Sequence, residues 1–136
     1  ELGGQDQLFV YAKAAANRTK GDPVWLAVNS SGLIDLSPAS AATVHLNAVA
    51  ATNIVSGQVG LYQLRGRCSM TVPSATYTAG NGLEMDNGIV EDSGAVALNN
   101  KTLGDPTATD FAVTCTTVTG TSVDCYLFGY PATAIT

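Results

Sequence analysis

Charged side chains are scarce in this sequence. Lys, Arg, Asp and Glu together make up 12% of it, about half the share usual for a soluble domain. Its outer surface must therefore be built from Ser, Thr, Asn, Gln and Gly, or be covered by other chains. Basic residues are the scarcer kind: 6 Lys and Arg stand against 11 Asp and Glu, for a net charge of −5. A protein that neutralises phosphates needs the opposite balance, so direct nucleic-acid binding is not expected. Cysteine is limited to Cys68, Cys115 and Cys125, too few and too unevenly numbered for a disulfide framework. No apolar run approaches ~18 residues, so no membrane-spanning helix and no membrane partner are expected. The opening Glu1-Leu2-Gly3-Gly4 lacks a basic segment followed by an apolar one, and the reading there is that no signal peptide is present. Good helix formers are equally sparse. Tyr11-Ala12-Lys13-Ala14-Ala15-Ala16 has the propensity but is too short for an isolated helix, and Phe9-Val10-Tyr11 favours a strand.

What the chain does contain is β pattern. From Leu61 to Val72 the residues alternate: Tyr62, Leu64, Cys68, Met70 and Val72 share one face, while Gln63, Arg65, Arg67, Ser69 and Thr71 share the other. That period predicts a strand with one face in a core, bent or bulged at Gly66. Asp86-Asn87-Gly88-Ile89 carries the strongest hairpin signal, because Asn-Gly accepts positive φ at both turn positions. Asn29-Ser30-Ser31-Gly32 predicts a second hairpin between Val24–Val28 and Leu33–Leu36. A third is expected around Thr119-Gly120-Thr121, between Phe111–Val118 and Val123–Tyr130. Thr43–Ile54 reads as a further long strand, and Ser93–Asp110 as a loop.

Part of this pattern is written twice. Thr19-Lys20-Gly21-Asp22-Pro23-Val24 leads through a Gly turn at Gly32 to Leu33-Ile34-Asp35; Thr78-Ala79-Gly80-Asn81-Gly82-Leu83 leads through Asn87-Gly88 to Ile89-Val90-Glu91. Ala48-Val49 then precedes Gly57, Leu64 and Gly66, as Ala112-Val113 precedes Gly120, Leu127 and Gly129. The expectation is a single all-β domain over residues 1–136: a pseudo-duplicated antiparallel barrel or sandwich with little or no helix, its repeats near 19–67 and 78–130. Val123–Tyr130 is apolar on both faces, with Val123, Cys125 and Leu127 on one and Tyr126, Phe128 and Tyr130 on the other. The aromatic row is either a candidate interface or is covered by residues 5–16.

Three stretches carry a family likeness. Phe9-Val10-Tyr11-Ala12-Lys13-Ala14-Ala15-Ala16 with Lys20-Gly21-Asp22-Pro23-Val24, then Gly60-Leu61-Tyr62-Gln63-Leu64-Arg65-Gly66-Arg67, then Ala75–Leu83 continuing to Gly88-Ile89-Val90 resemble small tailed-phage capsid decoration (cement) proteins. The resemblance spans roughly residues 8–92, and residues 93–130 show no comparable motif. It implies a non-catalytic protein that binds the outer surface of the major capsid protein as a homotrimer and stabilises the DNA-filled head. It also implies a place on the virion, with assembly in the bacterial cytoplasm. The alternative class is an extracellular carbohydrate-binding or fibre/adhesin β module, which predicts an exposed aromatic platform and retention on glycans.

Cys115 and Cys125 lie five residues either side of Gly120. An odd-length hairpin loop centred there sets them opposite each other, ~4.5 Å apart at Cα, within reach of a bridge. The reducing cytoplasm implied by the resemblance favours thiols, so the pair stands as a candidate disulfide with both states open. Cys68 reads as a buried thiol.

No constellation points to catalysis. His45 is the sole histidine, on a predicted strand in Thr43-Val44-His45-Leu46, and a Ser-His-Asp triad would have to use it. Zinc needs four ligands, and neither C-x-x-C nor paired His occurs. Glu91-Asp92-Ser93-Gly94 resembles the loop around a serine-protease nucleophile only superficially. Asp86, Glu91 and Asp92 lack the spacing of a calcium loop. Glu84 and Asp86 with Glu91 could supply the acid pair of a glycosidase but have no aromatic cleft nearby. The N-x-S/T sites at Asn17, Asn29 and Asn100 match what chance gives in a Ser/Thr-rich chain. The expectation is no enzyme, no metal and no cofactor.

Overall fold

The computed structural model describes residues 7–37, 46–86, 89–95 and 110–129. These residues form nine strands and no helix: β1 (Leu8–Lys13), β2 (Pro23–Asn29), β3 (Gly32–Leu36), β4 (Leu46–Ala50), β5 (Val59–Tyr77), β6 (Asn81–Asp86), β7 (Ile89–Ala95), β8 (Asp110–Thr114) and β9 (Val118–Phe128). The all-β expectation holds. The Ala-rich segment before Arg18 begins as β1, whose Val10, Ala12 and following Ala14 alternate into a core. Helix propensity over six residues loses to that tertiary partner.

Strand order is β1-β3-β2-β4-β5-β9-β8-β6-β7, and β1 also pairs with β5. That second pairing closes the first five strands into a barrel, with β1 bridging β3 in parallel at Lys13 and Ile34 and running antiparallel to β5. β5 is 19 residues long and passes out of this barrel into a second group, β5-β9-β8-β6-β7, in which β7 comes back alongside β5. Each group has its own interior. Ala12, Val24, Leu26, Ala48, Ala50, Tyr62 and Leu64 fill the first. Met70, Val72, Tyr77, Leu83, Phe111, Val123 and Leu127 fill the second, joined there by Val49 of β4.

The two groups share their connectivity. A hairpin, β2–β3 or β6–β7, is followed by a strand that pairs with its first arm, β4 or β8. The next strand, β5 or β9, pairs antiparallel with that one. The loops entering the hairpins agree atom for atom. Gly21 donates its N–H to Ala50 O at 2.9 Å, and Gly80 donates to Thr114 O at 2.8 Å. Asp22 N–H meets Thr19 O at 2.9 Å, and Asn81 N–H meets Thr78 O at 3.0 Å. Both glycines have positive φ, 98° and 87°, which a side chain resists.

Three local expectations are corrected. The third turn does not fall at Gly120. The reversal occupies Cys115–Thr117, and Gly120 lies inside β9 opposite Ala75, because the bulged end of β5 extends the ladder that far. The long strand expected to Ile54 ends at Ala50; Ile54 forms a separate bridge with Arg18, closing the end of the first barrel. Ser93, within the expected loop, belongs to β7. The turn at Asn87-Gly88 lies outside the described residues, but Asp86 opposes Ile89 as a two-residue turn requires.

Candidate functional site

A charged cluster sits inside the first barrel. Asp35 of β3 has 0% exposure. Its carboxylate accepts from Arg18 Nε at 2.9 Å and from a second Arg18 nitrogen at 3.0 Å. It also accepts from Ala15 N–H at 2.7 Å and from the Tyr62 hydroxyl. Burial alone pushes an acid's pKa up. Here the donors from Arg18, Tyr62 and Ala15 outweigh it and hold Asp35 below the ordinary carboxylate range. Burial and the neighbouring Asp35 drive the Tyr62 phenol the other way, so it stays protonated and donating. Four donors leave this carboxylate no lone pair for substrate, so the cluster fastens the barrel rather than serving as a base. In the sequence Asp35 stands only as the last residue of a repeated phrase, with nothing local to mark its partners.

Asp92 does related work in the second group. It accepts from Thr78 N–H, Gly94 N–H and the Asn81 amide at 2.8–3.1 Å. Burial raises its pKa, but the two backbone donors and Asn81 outweigh this and lower it. Asp92, one of three acids whose spacing does not fit a calcium loop, is thus a clamp on the loop before β6. Glu84 and Glu91 do come together, as direct partners across β6 and β7, with Asp110 opposite Glu84 on β8. No group of three metal-ligating side chains suited to an ion occurs among the described residues. His45 lies outside them.

The outer face of the first barrel has a different character. On β1, Phe9, Tyr11 and Lys13 point away from the interior filled by Val10 and Ala12. Across the ladder Tyr11 opposes Leu61, Lys13 opposes Val59 and Phe9 opposes Gln63. Tyr11 is 71% exposed and Val59 66%. Leu36 of β3 is exposed too, and Ile34 half-buried beside Lys13. These side chains leave apolar surface exposed around Lys13 on a charge-poor protein.

The aromatic row expected on the last strand is less open. Tyr126 and Phe128 are half-buried, opposite Arg67 and Arg65 of β5; Tyr130 lies outside the described residues. Arg67 reaches across to Asp124 of β9, tying the two groups together at the surface. The cysteines are all free thiols. Cys125 is fully buried and opposes Thr114 on one side and Cys68 on the other. Cys115 comes to rest beside Asp124, because the register pairs Thr114 with Cys125, one residue from an alignment centred on Gly120.

Charge is divided between the groups, a signal present in the sequence but visible only once β5 divides them. Residues 1–72 hold Lys13, Arg18, Lys20, Arg65 and Arg67 against Glu1, Asp6, Asp22 and Asp35, a net of +1. Residues 73–136 hold Glu84, Asp86, Glu91, Asp92, Asp105, Asp110 and Asp124 against Lys101, a net of −6. The apolar face of Tyr11 and Val59 therefore belongs to the near-neutral half, and the acidic charge lies in the other.

No family model matches the chain, and no curated protein matches its sequence. Among solved structures it is similar to the head fiber gp8.5 N base of bacteriophage phi29, with a TM-score of 0.55 and 12% identity. The overlap covers 96% of this chain and 98% of the other. At that identity the likeness is one of fold, and it runs through both strand groups.

Proposed function

We propose that this chain is a non-catalytic structural module of a phage head. It binds the outer surface of the major capsid protein as a homotrimer and stabilises the filled shell. The observation that carries this reading is the end-to-end fold likeness to a phage head fibre base, 96% of one chain on 98% of the other. The family resemblance of residues 8–92, read from sequence, points the same way. The exposed β1–β5 face supplies the contact: Tyr11, Val59, Leu61 and Phe9 bury against the capsid, with Lys13 at the centre for an acidic partner. Each contact can be weak, because a trimer engaging several capsid subunits multiplies it. Binding only the assembled shell, the protein raises shell stability in proportion to occupancy.

The test is to add the purified chain to capsids that lack it. We expect saturable binding at a fixed copy number and DNA release at a higher temperature than from bare capsids. An apolar contact persists as the Debye length falls from ~10 Å at 0.1 M salt to ~3 Å at 1 M. Tyr11→Asp with Val59→Asp should weaken binding at least tenfold, about 1.4 kcal/mol, with the fold intact because both side chains point outward. Equal release temperatures with and without the protein reject the stabilising role. Loss of binding on Tyr126→Ala and Phe128→Ala, but not on the β1–β5 changes, moves the contact to the β9 row.

The fibre-base description of the solved neighbour favours a second reading, in which the same module anchors a fibre to the head. Capsid binding with no change in release temperature selects it, and retention on a glycan array selects the carbohydrate-binding alternative.

A further inference from the structure

Cys68 and Cys125 are direct register partners across β5 and β9, and their sulfurs lie 3.8 Å apart. Antiparallel partners have Cα atoms about 4.5 or 5.5 Å apart, inside the window a disulfide spans without backbone movement. The two thiols differ in access. Cys125 is fully buried, while Cys68 is half-buried and lines a groove of 490 Å³ with Phe9, Gln63, Thr71, Lys20 and Arg67. The neighbouring Cys68 and burial both hold the Cys125 thiol above its ordinary range, so it is the poorer first nucleophile.

We propose that Cys68 and Cys125 are a dithiol site that closes to an intrachain disulfide by exchange with a small anionic disulfide, for which oxidised glutathione is the probe. In the first step the Cys68 thiolate, having given its proton to water, attacks one glutathione sulfur. The glutathione S–S bond breaks, and one glutathione leaves as thiolate. In the second the Cys125 sulfur attacks Cys68 Sγ and expels the other glutathione, which leaves carrying the Cys125 proton. The protein loses two protons and two electrons, which reduce one glutathione disulfide to two thiols, so the exchange balances. Lys20 and the Asp124-paired Arg67 line the groove through which an anionic disulfide reaches Cys68. The product staples β5 to β9 beside Gly66, where the long strand passes from one group to the other. Cys115 takes no part, since its backbone lies against Asp124.

The experiment incubates the folded full chain with excess oxidised glutathione, alkylates the remaining thiols and maps the peptides after trypsin. Cleavage after Arg67 and Lys101 leaves Cys68 on one peptide and both Cys115 and Cys125 on another. We expect one alkylated thiol in place of three, the two peptides joined, and reversal by reduced glutathione. Cys115→Ser should oxidise as the parent does. Cys125→Ser should stop at a single glutathione adduct on Cys68, and if it fails to fold, the Cys115→Ser arm still decides. Three alkylated thiols after prolonged incubation overturn the proposal. So does a bridge between Cys115 and Cys125, which stays within one peptide, or a joined product that disappears in Cys115→Ser.

Discussion

Asp35 is an ionised carboxylate with no exposure, and its worth to the fold depends on the donors around it. Asp35→Asn leaves the Arg18 guanidinium, itself only 9% exposed, without its counter-charge. Removing one partner of a buried pair costs about 3–5 kcal/mol, and urea titration should show a loss of that order. Tyr62→Phe removes one hydrogen bond to a charged acceptor, a loss of about 1.5–3 kcal/mol. The pH dependence follows from the direction of the shift. A carboxylate held below its unfolded pKa stabilises fully above that value, near 3.9, and loses the contribution as pH falls through the folded pKa. Stability should be flat from neutrality to about pH 5 and fall below about pH 4. Asp35→Asn should reduce that slope without abolishing it, because Asp92 and Asp124 are also held low.

At the scale of an element, β5 shows how a strand is fitted to two surroundings. Its burial alternates through Tyr62, Leu64, Met70 and Val72, as period two demands. Gly60 breaks the pattern of side chains for a steric reason: a Cβ there would stand 2.4 Å from two carbons of Ile54, which closes the barrel end over Ala12. Ile54 is β-branched and buried, so it cannot swing away. Gly60→Ala should destabilise by about 1–3 kcal/mol through overpacking, measured by thermal or urea unfolding. Ile54→Val in the same background should recover part of that loss, a coupling a double-mutant cycle reads directly. Independent effects of the two substitutions would show that Ile54 does not set the requirement for glycine.

Over the whole molecule, two cores are joined by one continuous strand, and Val49 of β4 packs into the second. Neither core can open without loosening β5, so calorimetry should record one transition with matching calorimetric and van't Hoff enthalpies. Two resolved transitions would make the groups independent. We read the shared connectivity and the matching Gly21 and Gly80 loops as the mark of a duplicated unit. Residues 19–67 should superpose on 78–130 strand for strand by crystallography, and a match limited to one hairpin rejects the duplication. The division into a near-neutral and an acidic half gives the molecule a direction, which suits a module with one face toward a partner and the other toward solvent.

By itself the sequence determined the class of the fold, because alternation and turn residues are local. Tyr62 through Val72, the turn at Asn29–Gly32 and the opposition of Asp86 to Ile89 could be read without any partner strand. Tertiary structure alone decided what depends on register and closure. It fixed which cysteine faces Cys125, because the β5–β9 register sets Cys68 opposite it while β8 sets Thr114 there and leaves Cys115 one residue off. It turned Asp35 inward onto Arg18, 17 residues away, and Tyr62, 27 residues away. It also left Tyr11 and Val59 outside. Their apolar character is plain in the sequence, but which side of a strand meets the core is settled only by the strands that close around it.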